Sequence, residues 1–307
     1  MAIHTENLTR DFGTLRALDN LTMDVPSGVV FGFLGPNGSG KTTTIRLLLG
    51  LIQPTSGSAS VLGHDVVGEA DSIRSMTGAL LEYTGLYERM TAEDNLEYFG
   101  RIARMTRNDR KARARELLSQ IGLWDRRMDP VGKWSRGMKQ KLAVARVIFH
   151  RPPLVFLDEP TAGLDPVAAA SLREDLSRLV RREGTTVFLT THNLTEAEKL
   201  CERVAVVRNG VLLAIGHPDE LRRRAARSNT LSFVGRSFPE AVGPLLAARP
   251  EVLGVELVDG RLDVSVRPGT DVAPLVSLAI GAGALVEEVF KPKASLEELF
   301  LDLVEDK

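Results

Sequence analysis

Apolar and polar residues alternate in short runs over residues 1–28, with Ile3, Leu8, Phe12, Leu15, Leu18, Leu21 and Val25 as the apolar positions. That pattern predicts antiparallel strands with one buried face. The period then changes. Val29-Val30-Phe31-Gly32-Phe33-Leu34 is a continuous apolar run and predicts a buried strand. Ile45, Leu48, Leu49 and Ile52 follow on one face of a predicted helix. From residue 91 to residue 150 the pattern is helical, and Thr106-Arg107-Asn108-Asp109 is a candidate N-terminal cap. Two more apolar runs, Leu154-Val155-Phe156-Leu157 and Thr185-Thr186-Val187-Phe188-Leu189-Thr190, predict buried parallel strands with a helical segment between them. Asn209-Gly210 sits between two apolar runs, 204–208 and 211–215, and predicts a hairpin.

Gly216-His217-Pro218 and the charged Arg222-Arg223-Arg224 stretch mark a boundary, giving domains over 1–217 and 218–307. Beyond it the predicted order is strand 230–236, helix 238–249, strand 251–258, a turn at Asp259-Gly260, strand 261–267, helix 270–282, strand 284–290 and helix 294–304. The order βαββαβ predicts a small α+β, ferredoxin-like sandwich with a terminal helix. This second part is mildly acidic and holds no His or Cys after Pro218, which makes a zinc site there improbable. Its strands lack the aromatic pairs of an RNA-binding sheet, and dimerisation or partner docking is the role expected of it.

The candidate chemistry begins between the second predicted strand region and the helix that follows it. Gly35-Pro36-Asn37-Gly38-Ser39-Gly40-Lys41-Thr42 fits G-x-x-x-x-G-K-[ST] at every fixed position. Glycines let the backbone wrap an anion with N–H groups, and a helix N-terminus adds positive potential. Lys41 is expected to reach the β- and γ-phosphates and Thr42 to ligate Mg²⁺, with Thr43 in the same nucleotide-binding set. A Mg·ATP site needs a further carboxylate. The strand ending Leu157-Asp158-Glu159 supplies two at the carboxyl edge of the sheet. Asp158 is the candidate metal holder, and Glu159 the candidate base that activates a water on the γ-phosphate.

Three more segments complete a series: Trp134-Ser135-Arg136-Gly137-Met138-Lys139-Gln140, Asp158-Glu159-Pro160-Thr161-Ala162-Gly163-Leu164-Asp165, and Thr191-His192. Over residues 1 to about 220 the chain resembles the ATP-binding cassette (ABC) family. Within it the chain is similar to the daunorubicin/bacitracin-type antibiotic-resistance exporters. The resemblance implies an α/β P-loop ATPase fold: a mixed sheet with helices, an antiparallel β-subdomain and a helical subdomain. It implies an ATP-hydrolysing exporter subunit that works with a separate transmembrane permease, on the cytoplasmic side of the membrane. It also implies a homodimer with two ATP molecules at its interface. There Ser135 and Gly137 of one subunit would face the γ-phosphate held by the other. Asp165 would belong to the loop that crosses the interface, and His192 would contact the γ-phosphate and the attacking water. Phe12 would stack on adenine, although a phenylalanine in a strand region is more often core. The chain departs from the family's usual L-S-G-G-Q at Trp134, Arg136 and Met138. It also carries Glu82 where a metal-contacting Gln is usual. The exporter branch accepts both the basic residue and the Glu.

Composition adds limits. The 307 residues have room for one large domain and one smaller one; they are 43% hydrophobic and 26% charged, with a formal net charge of −1, so charge gives no reason to expect nucleic acid. The chain has no apolar stretch of membrane-spanning length and no basic-then-apolar leader pattern at its N-terminus, so neither a span nor a signal peptide is expected. One cysteine, Cys201, excludes an internal disulfide. Arg101, Arg104, Arg107, Arg110 and Arg113 recur every third residue and predict a solvated helix face, or else contact with acidic loops or lipid headgroups. Tyr83, Tyr87 and Tyr98 gather with Leu86, Met90, Leu96 and Phe99, as a local core or as a groove for a partner helix. Two other functions compete with the exporter reading: a soluble ABC ATPase acting on ribosomes or DNA, and a nucleotide-dependent regulator that hydrolyses weakly because of Arg136 and Glu82.

Overall fold

In the computed structural model, which describes residues 1–225, 229–258, 260–267 and 269–291, the alternating N-terminal segment forms β1 (Ile3–Phe12) and β2 (Leu15–Val25). They pair antiparallel, from Ile3 opposite Val25 to Phe12 opposite Leu15. The apolar run becomes β3 (Val30–Leu34), buried at all its positions, and the loop after it opens α1 (Lys41–Leu48). Residues 56–80 add β4 (Ser56–Val61), β5 (His64–Asp65), α2 (Ala70–Met76) and β6 (Thr77–Leu80). The first sheet is antiparallel, in the order β2-β1-β4-β5.

The helical stretch resolves into α3 (Ala92–Ile102), α4 (Arg107–Gln120) and α5 (Arg136–Val147), each opened by a hydroxyl cap from Thr91, Thr106 or Ser135. Then come β7 (Leu154–Asp158), α6 (Pro166–Glu183), β8 (Thr186–Thr191), α7 (Leu194–Leu200), β9 (Arg203–Arg208) and β10 (Val211–Gly216). The second sheet runs β10-β9-β3-β8-β7-β6; it is parallel except for the β9–β10 hairpin. One core joins both sheets and α1, with Ile3, Leu21, Ile45, Leu48, Phe31 and Phe156 all fully buried. Phe188 is at its centre, with ring centroids 5.6, 5.6 and 5.7 Å from Phe31, Phe33 and Phe156. Cys201 closes the end of α7 against β3, where a Cβ on Gly32 would stand 2.8 Å from its sulfur. Burial, with the charge of Glu202 adding to it, pushes the Cys201 thiol well above its ordinary pKa.

The arginine spacing does not mark one solvated face. α3 ends at Ile102, Arg104 takes a left-handed φ of 58°, and Arg113 on α4 is buried. Arg113 forms a two-pronged pair with Glu183 at the end of α6 (2.7 and 2.8 Å) and donates to the Ile148 carbonyl at 3.1 Å.

The chain divides into two units, Met1–Pro218 and Asp219–Lys307. The basic stretch read as a boundary is part of a helix, α8 (Pro218–Ala225). After it come β11 (Asn229–Ser237), α9 (Val242–Ala247), β12 (Val252–Val258), β13 (Arg261–Val266), α10 (Ala273–Gly281) and β14 (Leu285–Phe290). The sheet is antiparallel throughout, in the order β12-β13-β11-β14. Phe233, Leu246, Val264 and Leu275 bury against one another at its core. Asp259 and the segment 294–304 lie outside the described residues.

Candidate active site

β3, β7 and β8 are parallel neighbours in register, Leu34 opposite Thr191 and Asp158 opposite Thr190. The segments that follow them therefore emerge at one edge of the sheet. The loop after β3 is shaped by close backbone approach. A Cβ on Gly35 would run into the Val207 carbonyl, and one on Gly40 (φ 98°) would come within 2.5 Å of the Ala17 carbonyl. Pro36, Asn37, Gly38 and Ser39 form the turn between them, and Thr43 lies in the first turn of α1. Helix α1 has no side-chain cap and no acid in its first turn. Ser39 Oγ is buried without a hydrogen-bond partner. Those unmatched donors fit a phosphate group.

Lys41 is 6% exposed, and its Nζ donates to the carbonyls of Gly35 (2.8 Å) and Pro36 (3.1 Å). It also lies 3.3 Å from Glu159 Oε1, an ion pair without hydrogen-bond alignment, since that oxygen has no hydrogen-bond partner. Thr42 Oγ1 donates to Asp158 Oδ2 at 2.7 Å, and Thr190 Oγ1 donates to Asp158 Oδ1 at 2.5 Å. A hydroxyl and a carboxylate side by side are hard oxygen donors of the kind Mg²⁺ takes, in a set that phosphate oxygens and water complete. Glu159 has a left-handed φ of 49°, and its N–H bonds both the carbonyl and the hydroxyl of Thr190 at 3.1 Å. This turn brings its Oε2 within 2.9 Å of His192 Nδ1.

Lys41, Thr42, Asp158, Glu159 and His192 are thus joined in one group. Among the described residues no hydrogen bond or ion pair links Phe12, Glu82 or Ser135 to it. Phe12 is exposed at the end of β1 with the Arg10 guanidinium 4.5 Å above its ring, so it is not a core residue. Glu82 is exposed two residues after β6, at the same sheet edge. Ser135 caps α5 through the Met138 N–H at 3.3 Å, with Gly137 in the first turn. Trp134 is buried and fills the position of the family's Leu as an apolar anchor. Arg136 turns back within its own chain and donates to the Ala162 carbonyl at 2.8 Å. Asp165 caps α6 through the N–H groups of Val167 and Ala168. The tyrosine cluster is on the surface: Tyr87 meets Tyr98 edge-on at 5.0 Å and Phe99 at 6.1 Å, and all three tyrosines are exposed. The sequence reading gave no role to Thr190, Thr161 or Glu196, which brace this group from the neighbouring strand β8, from the turn after Glu159 and from α7.

Residues 18–162 match a family model described as ABC transporter. The chain is 37% identical to a daunorubicin resistance ATP-binding protein of Streptomyces coeruleorubidus, over 99% of this chain and 96% of that protein. It is 39% identical to the bacitracin transport ATP-binding protein of Bacillus licheniformis, over 72% of each. Among solved structures, the ATP-binding subunit of an ABC transporter superposes with a TM-score of 0.66 at 29% identity, covering 73% of this chain and 93% of that one. A dimeric ATP-binding cassette in a post-hydrolysis state with ADP and Pi superposes with a TM-score of 0.63 at 25% identity, covering 70% and 98%.

Proposed function

The chain belongs to the ATP-binding subunits of the ABC transporter family and is an ATPase, and from that premise we propose that it drives export of a drug, antibiotic or lipid-like cargo through a separate transmembrane permease. The observation that supports this most directly is the pairing of Thr42 with Asp158 and of Glu159 with His192 at one sheet edge beside the phosphate loop. Lys41 neutralises charge on the β- and γ-phosphates, which competes with its ion pair to Glu159. Glu159 then takes a proton from the attacking water, and His192 holds that carboxylate in line. Thr42 and Asp158 would hold Mg²⁺, whose contribution when bound is to neutralise charge on the phosphate oxygens.

The site is completed in a homodimer. Ser135 and Gly137, at the N-terminus of α5, are offered to the nucleotide of a second copy, and Asp165 lies on the loop between them. Phe12, exposed and with the Arg10 guanidinium over one side of its ring, would stack on the adenine, and Glu82 would extend the metal set. Among the described residues no helix is long and apolar enough to cross a membrane, so a membrane location comes from the partner. The partner docks on the cluster of exposed Tyr83 and Tyr87 with half-buried Leu86, Met90 and Phe99, which begins right after Glu82 in the chain. The test is fractionation. Co-expression with a candidate transmembrane permease should move the chain to the membrane fraction, and Tyr87→Asp with Met90→Asp should return it to the soluble fraction with nucleotide binding intact. Recruitment that survives both substitutions rejects this docking surface. No recruitment at all returns the soluble-ATPase reading.

A further inference from the structure

His192 is 55% exposed, so little packing fixes its imidazole, and its position is set by the backbone at the start of α7. That backbone is tied back to Glu159 by a closed ring. Pro160 and Thr161 follow Glu159 in the chain, and Thr161 Oγ1 donates to Glu196 Oε2. The N–H of Glu196 donates to Asn193 Oδ1 at 3.0 Å, and Asn193 adjoins His192, whose Nδ1 returns to Glu159 Oε2 at 2.9 Å. The second oxygen of Glu196 accepts from Arg173 Nη1 on α6 at 2.9 Å. Helix α6 starts from Asp165, where the loop that begins at Thr161 ends. One carboxylate on α7, the helix that starts just after His192, therefore binds the start of that loop at Thr161 and the body of α6 at Arg173. The Glu196 and Arg173 side chains are only 18% and 20% exposed, so these charge-assisted bonds are shielded from water.

We propose that Glu196 is a positioning residue for ATP hydrolysis: through Thr161 and Arg173 it keeps His192 against Glu159. The proposal rests on the assignment of Glu159 and His192 to the chemistry. Misplacement of a reacting group by about 1 Å costs up to roughly 10²-fold in rate, so a loosened brace acts on turnover rather than on ATP affinity.

The test is steady-state Mg·ATP hydrolysis by the full-length chain. Thr161→Val should lower kcat about tenfold with KM for ATP and thermal midpoint near wild type, while Thr161→Ser, which keeps the hydroxyl, restores kcat. Glu196→Ala should cost more; if it fails to fold, the Thr161 pair decides. In a His192→Ala background, followed by single turnover, Thr161→Val should add less than about a twofold loss, because the element it braces is gone. Normal kcat in Thr161→Val overturns the proposal, and so does an undiminished loss in the His192→Ala background. If Glu159→Gln and His192→Ala themselves hydrolyse ATP normally, the assignment of those residues falls first, which a normal Thr161→Val alone would not imply.

Discussion

Lys41 is a nearly buried cation with two carbonyls and one carboxylate around its ammonium, and the carboxylate is that of Glu159, the proposed base. Lys41→Ala should therefore remove phosphate charge neutralisation and leave Glu159 without that counter-ion. ATP hydrolysis should fall by at least about 10²-fold, with circular dichroism unchanged; normal turnover would reject the loop as the phosphate site. Glu159→Gln keeps the shape of the turn and removes the proton acceptor. Hydrolysis should slow by roughly 10²-fold or more while ATP is still bound. In that variant ATP should accumulate a dimer on size-exclusion chromatography, and a strictly monomeric profile would count against a composite site. Lys41, Thr42, Asp158 and Glu159 were legible in the sequence because each pair sits in a short motif next to a strand. Thr190 was not, because its bond to Asp158 arises only from strand register across 32 residues. Thr161 stands in a motif read from the sequence, but its bond was hidden because its partner Glu196 lies 35 residues on, in α7, and only the fold brings the two together.

Among the elements, strands with unbroken apolar runs and the capped start of α4 at Thr106 could be read from period and cap, whereas α3 and α5 were read only as part of one helical stretch. Residues 52–90 could not. β4 is mostly Ser and Gly, with only Ala59 and Val61 buried, and its place is decided by pairing with β1. The arginine repeat misled because spacing of three spans two helices, and a left-handed Arg104 between them resets the faces. Its last member ties the helical arm to α6 and to the carboxyl end of α5. Arg113→Met should leave Glu183 and the Ile148 carbonyl without that partner and destabilise the chain by about 3 kcal/mol, read as a lowered urea midpoint. A midpoint within error of wild type would mean that water replaces the guanidinium at no cost.

At the scale of the whole molecule, the two units have separate cores, one around Phe188 and one around Phe233. A chain ending at Pro218 is expected to fold and bind ATP with an affinity near that of the full chain. Its ATP-driven dimer should be weaker, measured by sedimentation. Loss of folding on truncation would show that the second unit is needed by the first. From β11 to β14 the order of the second unit's strands and helices was legible because Gly stands in its turns and its strands are short and rich in Val and Leu. Its helix limits were less so: α9 spans Val242–Ala247 rather than 238–249, since Pro239 forms a turn that the Val242 N–H closes at 2.9 Å. The single sulfhydryl, wedged behind β3 with its ionisation suppressed, has a practical consequence. The native protein should be inert to maleimides at neutral pH, as intact mass spectrometry would register. If two copies pair as proposed, new cysteines at Ser39 and Ser135 should be bridged between them without first mutating Cys201. The distance between the Trp134–Gln140 segment of one copy and the phosphate loop of the other through the ATP cycle would thereby become a covalent readout, with only those two serines replaced.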